Sequence, residues 1–303
     1  MTIDTFLIPT DGSDRAEDAA RRGFDLAVQC SADVHVLSVA DSSVATGAGY
    51  AGDSQSIRER LRETATARAT SLRDEATERG LETTAATREG IPAKEIVDYA
   101  AEHDIDAIAI GTSGRGGVAR AVIGSVADKV VRTASVPVLT ISPDAADVAE
   151  GNPTVNSILL PTDGSDTAMA AARLGMEFAA DLEASVHLLS VIDSDRDRVL
   201  SRLSGSDSEA DLDADERREG AIDALETLAT DARSLGLNVV TETSTGHPAD
   251  EIVDYAESAS IDLIAMGTAG RGGFDRYLLG SVTDSVVRTA TVPVLTIRAN
   301  EDE

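Results

Sequence analysis

Residues 106–141 read DAIAIGTSGRGGVARAVIGSVADKVVRTASVPVLTI, and residues 262–297 read DLIAMGTAGRGGFDRYLLGSVTDSVVRTATVPVLTI. In the first stretch Asp106–Ile110 is a short apolar run closed by glycine, which reads as a buried strand. A glycine-rich loop follows, then helical spacing over Val126–Thr133, then a last strand over Val136–Ser142. Strands apolar on both faces, alternating with helices, mean a parallel sheet covered on two sides.

Outward from these stretches the whole chain repeats. Ile8–Asp14 (IPTDGSD) returns as Leu160–Asp166 (LPTDGSD), Val34–Val39 as Val186–Val191, and Glu95–Ala100 (EIVDYA) unchanged as Glu251–Ala256. The offset is 152 early and 156 late, so the second copy carries extra residues in between. Copies of this length are domains and not solenoid repeats, whose periods are about 20–50 residues. The expected organisation is a first domain over 1–142, a linker over 143–156 with Pro143, Gly151 and Pro153, a second domain over 157–298, and an acidic tail over 299–303. Within copy one, Thr5–Pro9, Asp33–Ala40 and Leu81–Arg88 read as strands. Asp14–Gln29, Ser56–Arg79 and Ala93–Glu102 read as helices. Asp14 is expected to cap its helix, with Glu17 completing a capping box. Two loops, Asp41–Gln55 and the highly charged Asp193–Arg218, follow the second strand of each copy and are expected to be mobile. In open sheets of this kind a ligand sits beyond the carboxyl ends of the strands, where strand order reverses.

Composition narrows the function classes. Acids outnumber bases 54 to 26 in 303 residues, for a net charge of −28. Such a field argues against broad contact with nucleic acid or anionic membrane. Lys94 and Lys129 are the only lysines, and with so many carboxylates this suggests a surface suited to concentrated salt, hence a halophilic source. The lone Cys30 excludes an intrachain disulfide and a multi-cysteine metal site. The amino terminus lacks the basic and apolar regions of a signal peptide, and no apolar run is long enough to span a bilayer, so a cytoplasmic location is expected.

Chemistry concentrates at one spacing, which occurs twice. Gly111-x2-Gly114-x9-Gly124-Ser125 is matched by Gly267-x2-Gly270-x9-Gly280-Ser281. Each run starts where a strand ends and finishes where a helix begins. Glycines let backbone amides approach a ligand, and the first amides of a helix attract anions. Arg115 and Arg271 lie inside the loops and add positive charge. Read structurally, Ser125 and Ser281 open capping boxes ending at Asp128 and Asp284, and the glycines are turn residues. Asp11 and Asp163 follow the first strand of each copy. They read either as ligand contacts or as carboxylates favouring the start of a helix. Gly47–Gly52 matches a dinucleotide fingerprint but lies beyond its strand and has no second copy. A Walker lysine is absent, since Lys94 and Lys129 follow Ala93 and Asp128. His35 and His187 read as strand-end surface residues, Cys30 as packing, and Tyr99 and Tyr255 as core or edge.

The glycine spacing, the first-strand Pro-Thr-Asp-Gly-Ser and the closing Val-Pro-Val-Leu resemble universal stress protein domains of the ATP-binding kind. The resemblance covers nearly all of both copies. It implies two Rossmann-like domains of the adenine nucleotide alpha hydrolase-like fold, each an open five-stranded parallel sheet of order 3-2-1-4-5 with helices on both faces. It implies that Pro9, Thr10, Asp11 and Val39 line the nucleoside side of the first site, and that Gly111, Gly114, Gly124, Ser125 and Val126 hold the phosphates. In the second copy these become Pro161, Thr162, Asp163 and Val191, with Gly267, Gly270, Gly280, Ser281 and Val282. ATP is the implied ligand, with ADP or AMP as alternatives and Mg or Mn accompanying the phosphates. Neither copy departs from the motif, so two competent sites are expected.

Three functions compete: a nucleotide-binding stress-signalling module, a slow ATPase, and a partner-binding module with vestigial loops. A hydrolase needs a positioned base and charge at the γ-phosphate. Neither stands out, so no catalytic residue is assigned and turnover is expected to be weak at most. The last strands, Val136–Ile141 and its counterpart, are expected to lie at sheet edges and to pair within the chain as a pseudo-dimer; a homodimer of whole chains stays open.

Overall fold

The computed structural model describes residues 1–41, 54–112, 123–148, 154–193, 207–268 and 279–298. Contacts divide the chain between Thr154 and Val155. The first unit runs β1 (Thr5–Thr10), α1 (Asp14–Cys30), β2 (Asp33–Asp41), α2 (Ser54–Glu78), β3 (Thr83–Gly90), α3 (Pro92–Glu102), β4 (Ala107–Gly111), α4 (Ser125–Thr133), β5 (Val138–Ile141) and α5 (Pro143–Val148). The second runs β6 (Ser157–Pro161), α6 (Asp166–Asp181), β7 (Ser185–Asp193), α7 (Asp207–Ser234), β8 (Val239–Gly246), α8 (Pro248–Ser258), β9 (Leu263–Gly267), α9 (Ser281–Thr289) and β10 (Val294–Ile297).

Among the described residues, the strand pairs within each unit are parallel. In the first unit β1 lies between β2 and β4, with β3 outside β2 and β5 outside β4, so the order is 3-2-1-4-5. The second unit repeats this as β8-β7-β6-β9-β10. Chain order reverses between β1 and β4, and between β6 and β9. The central strands are buried on both faces: Phe6, Leu7, Ile8 and Ile108 in one unit, Ile158, Leu159, Leu160 and Ile264 in the other. In the first unit α1 and α2 adjoin on one face, while α3 and α4 adjoin on the other. Arg21 bridges α1 to Glu75 of α2 at 2.8 Å, and Arg79 reaches Asp25 at 2.7 Å.

One carboxylate in each unit ties the start of the sheet together. Oδ2 of Asp106 accepts from the amides of Asp4 (3.0 Å) and Thr5 (2.9 Å). Oδ2 of Asp262 does the same for Asn156 (2.9 Å) and Ser157 (3.0 Å).

Several local expectations need correction. Helix α1 is capped by Ser13 and not Asp14: the Ser13 hydroxyl accepts from the Ala16 amide at 3.3 Å. The reason is Asp11, whose Oδ1 accepts from the Ser13 amide (3.0 Å) and hydroxyl (2.6 Å), fixing the turn one residue earlier. The third strand begins at Thr83 and runs to Gly90. The segment read as linker contains α5, whose first turn accepts help from Ser142: its hydroxyl takes the Ala145 amide at 3.1 Å. The charged segment Asp193–Arg218 is helical from Asp207 onward. The rest of that segment after Asp193, the stretch 42–53 with its glycine fingerprint, and the tail 299–303 lie outside the described residues.

Candidate functional site

At the end of β1 the chain turns through Asp11, Gly12 and Ser13 into α1. Gly12 has φ +70°, and its amide donates to the Thr10 hydroxyl at 3.0 Å. Thr10 and Pro9 are buried, whereas Asp11 is half-exposed. The second unit reproduces the turn. Gly164 has φ +76°, its amide donates to Thr162 at 3.1 Å, and Asp163 Oδ1 accepts from the Ser165 amide at 3.0 Å and hydroxyl at 2.6 Å. Thr162 is buried, while Pro161 and Asp163 are half-buried. Both carboxylates therefore have a demonstrated structural duty at Oδ1. Val39 and Val191, near the ends of β2 and β7, are half-buried.

Across the strand-order reversal, β4 ends at Gly111 and α4 begins at Ser125. A backbone bond holds the loop's two ends together: the Gly124 amide donates to the Thr112 carbonyl at 2.6 Å. Thr112 is in turn anchored to β5 through its amide and the Ile141 carbonyl, at 2.9 Å. The counterpart bonds are Gly280 to Thr268 at 2.8 Å and Thr268 to Ile297 at 3.0 Å. These clamps were not apparent from the glycine spacing, although the threonine recurs in both copies.

The helix starts answer a question left open by the sequence. Gly124 and Gly280 are the N-cap residues, with φ −63° and −59°, and neither helix has a side-chain cap. The expected capping boxes are thus absent. Ser125 and Ser281 sit inside the first turn with exposed side chains. The first intrahelical bonds run from Asp128 to Gly124 (2.9 Å) and from Asp284 to Gly280 (2.8 Å). The amides of the three residues before each aspartate therefore have no intrahelical acceptor. Asp128 and Asp284 instead bind Arg132 and Arg288 one turn on. Val126 and Val282 are half-buried behind the serines, as are Gly111 and Gly267 at the strand ends. Gly114, Arg115, Gly270 and Arg271 lie outside the described residues.

The arrangement has the elements an anion needs: orphan amides, a helix dipole and an exposed hydroxyl, set at a reversal of strand order. Among the described residues no group of three or more His, Cys, Asp or Glu side chains is placed to hold a metal ion.

A second cluster lies at the other end of the sheet. His35, near the start of β2, is no isolated surface residue. Its Nδ1 is 2.9 Å from the Tyr99 hydroxyl, and the His103 ring lies 4.0 Å from that of Tyr99. His187 and Tyr255 repeat the pair at 2.9 Å. Burial lowers the pKa of both histidines, with His103 adding repulsion at His35. Burial also raises the two tyrosines. Helices α3 and α8 run back along the sheet, so these pairs stand at the strands' amino ends, away from the glycine loops.

Fold and site together define a tandem α/β protein in which each domain places a helix start without a side-chain cap at a reversal of strand order. The chain belongs to the universal stress protein family, whose model matches residues 2–142 and 154–298. It is 34% identical over 158 residues to universal stress protein MJ0531 of Methanocaldococcus jannaschii, an alignment covering 52% of this chain and 89% of that one. It is 33% identical over 205 residues to universal stress protein Rv2005c of Mycobacterium tuberculosis, covering 65% of this chain and 63% of the relative. The crystal structure of a universal stress protein from Archaeoglobus fulgidus shares the fold, with TM-score 0.69, 20% identity and coverage of 99% and 97% of the two chains. No helix among the described residues is long and apolar enough to cross a membrane.

Proposed function

We propose that each domain binds an adenine nucleotide, ATP foremost, and that the chain acts as a nucleotide-dependent stress-response module. The observation that carries this reading is the uncapped start of α4 and of α9, each held by a backbone clamp at the strand-order reversal. The phosphates belong there, on the amides following Gly124 and Gly280 and on the hydroxyls of Ser125 and Ser281. The nucleoside then extends across β1 toward β2, past Asp11 and Val39, and in the second domain past Asp163 and Val191. Magnesium or manganese would travel with the phosphates. Pairing of the two last strands as an intrachain pseudo-dimer, the domain bounds 1–142 and 157–298 with the intervening linker, and a cytoplasmic location are further parts of this proposal, resting on the sequence.

The test is a change that disfavours an anion without disturbing the helix. Ser125→Asp with Ser281→Asp places negative charge where the dipole welcomes it, so folding is retained. The same charge repels a phosphate. Protein purified in concentrated KCl and extracted with acid should release ATP, ADP or AMP. The double variant should release at least about tenfold less with an unchanged melting temperature. Equal nucleotide content in the two proteins overturns the site assignment.

A further inference from the structure

The two domains repeat each other closely at the turn after their first strands, yet their long helices differ opposite that turn. In the first domain Arg68 of α2 lies against Gly12: a Cβ placed on Gly12 would fall 2.5 Å from Arg68 Cδ and 2.6 Å from its Nε. The guanidinium is thus delivered to the Asp11–Gly12–Ser13 turn. Buried residues fix the register of the second copy's helix, since Ala65, Leu72 and Ala76 correspond to Ala221, Leu228 and Ala232 at the constant offset of 156. At that offset Arg68 corresponds to Ala224, whose side chain is a single methyl. One candidate site therefore has a cation at this corner, and the other has none from this position.

The corner lies on the side of β1 away from α4. Helix α2 packs on β2 and β3, whereas the amides that receive an anion belong to α4, beyond β4. A ligand anchored at α4 and lying across β1 brings its uncharged end to the Arg68 side. Asp11 and Asp163 are carboxylates and accept hydrogen bonds, while a guanidinium donates them and has a flat face that stacks on an aromatic ring. We propose that Arg68 is a specificity-determining residue at the nucleoside end of the first site, and that the second domain, with Ala224, binds the same nucleotide more weakly. This rests on the nucleotide reading of both sites. Its consequence is a chain that responds to ligand over a wider concentration range than twin equal sites allow.

Calorimetric titration of the full chain with ATP in concentrated KCl tests it. The expected result is two classes of site, one equivalent each, about tenfold apart in affinity. Arg68→Ala should weaken the tighter class to match the other, and Ala224→Arg should strengthen the weaker one, a gain that mere loss of packing cannot mimic. Arg68→Lys should behave like Arg68→Ala, because a point charge supplies neither the fork nor the flat face. A single class of two equal sites in the unaltered chain, or full affinity in Arg68→Lys, overturns this inference and leaves the nucleotide reading standing. Binding of ATP to neither site overturns both.

Discussion

Gly23 and Gly175 sit where α1 and α6 cross their sheets, and their missing side chains set how closely helix and sheet approach. A Cβ on Gly23 would lie 2.9 Å from Ile8 Cδ1 and 3.2 Å from the Ala109 Cβ. On Gly175 it would lie 2.6 Å from Leu160 Cδ2. Ile8 and Leu160 are fully buried, so any shift of their side chains must be made inside a packed core. Gly23→Val should therefore destabilise the first domain by about 2 kcal/mol, the usual cost of overpacking, read as a lower midpoint in guanidinium unfolding. Because β1 and β4 carry the two halves of the crevice, the same substitution should weaken nucleotide binding at that site. The histidines make a prediction of opposite location. His35 and His187 have native pKa values below the ordinary 6.5, so in mildly acidic solution the unfolded chain binds protons that the native chain refuses. Their contribution to stability is complete above pH 6.5 and declines as pH falls through the window beneath it. The melting temperature should drop between pH 7.5 and 5.5. His35→Gln combined with His187→Gln should reduce that slope.

At the scale of elements, strand and helix order was legible because apolar periodicity is local and each element is short. Repetition then allowed one copy to check the other. What escaped was decided by contacts distant in sequence or by competition within a turn. The cap of α1 moved to Ser13 because Asp11 holds it; the heptapeptide alone offers four oxygen-bearing candidates, Thr10, Asp11, Ser13 and Asp14. The His35–Tyr99 bond joins residues 64 apart, and Arg68 of α2 meets a turn that precedes α1. Glycine spacing located the loops, but their closure by Thr112 and Thr268 became visible only with both ends in place. Helix α7 begins at Asp207 within a run whose acidity read as loop. Since Ser13 and Ser165 are the side-chain caps of α1 and α6, replacing either with alanine should cost about 1 kcal/mol in its own domain. Alanine at Ser125 or Ser281, which cap nothing, should leave the unfolding midpoint within experimental error while lowering nucleotide affinity. That contrast separates a serine used for folding from one exposed at a helix start.

At the scale of the whole molecule, charge sets the conditions under which any of this can be measured. A net charge of −28 repels itself, and screening relieves the repulsion as salt shortens the Debye length from about 10 Å at 0.1 M to about 3 Å at 1 M. Salt also weakens the ion pairs that link α1 to α2 and to the residue after it, Arg21 to Glu75 and Arg79 to Asp25, which acts in the opposite direction. Magnitude decides between them. Partly exposed pairs contribute about 0–1 kcal/mol each, and they are few beside 54 acidic residues spread over the chain. Repulsion should dominate, so the melting temperature should rise with KCl. Most of the rise should come below about 1 M, where the Debye length changes most. Stabilisation by exclusion of solute from the surface would instead continue to climb at higher concentration and would be matched by sucrose, which does not screen. A melting series in KCl beside one in sucrose distinguishes the two. A melting temperature that falls with KCl would mean the ion pairs outweigh the repulsion and would remove the ground for reading this surface as one suited to concentrated salt.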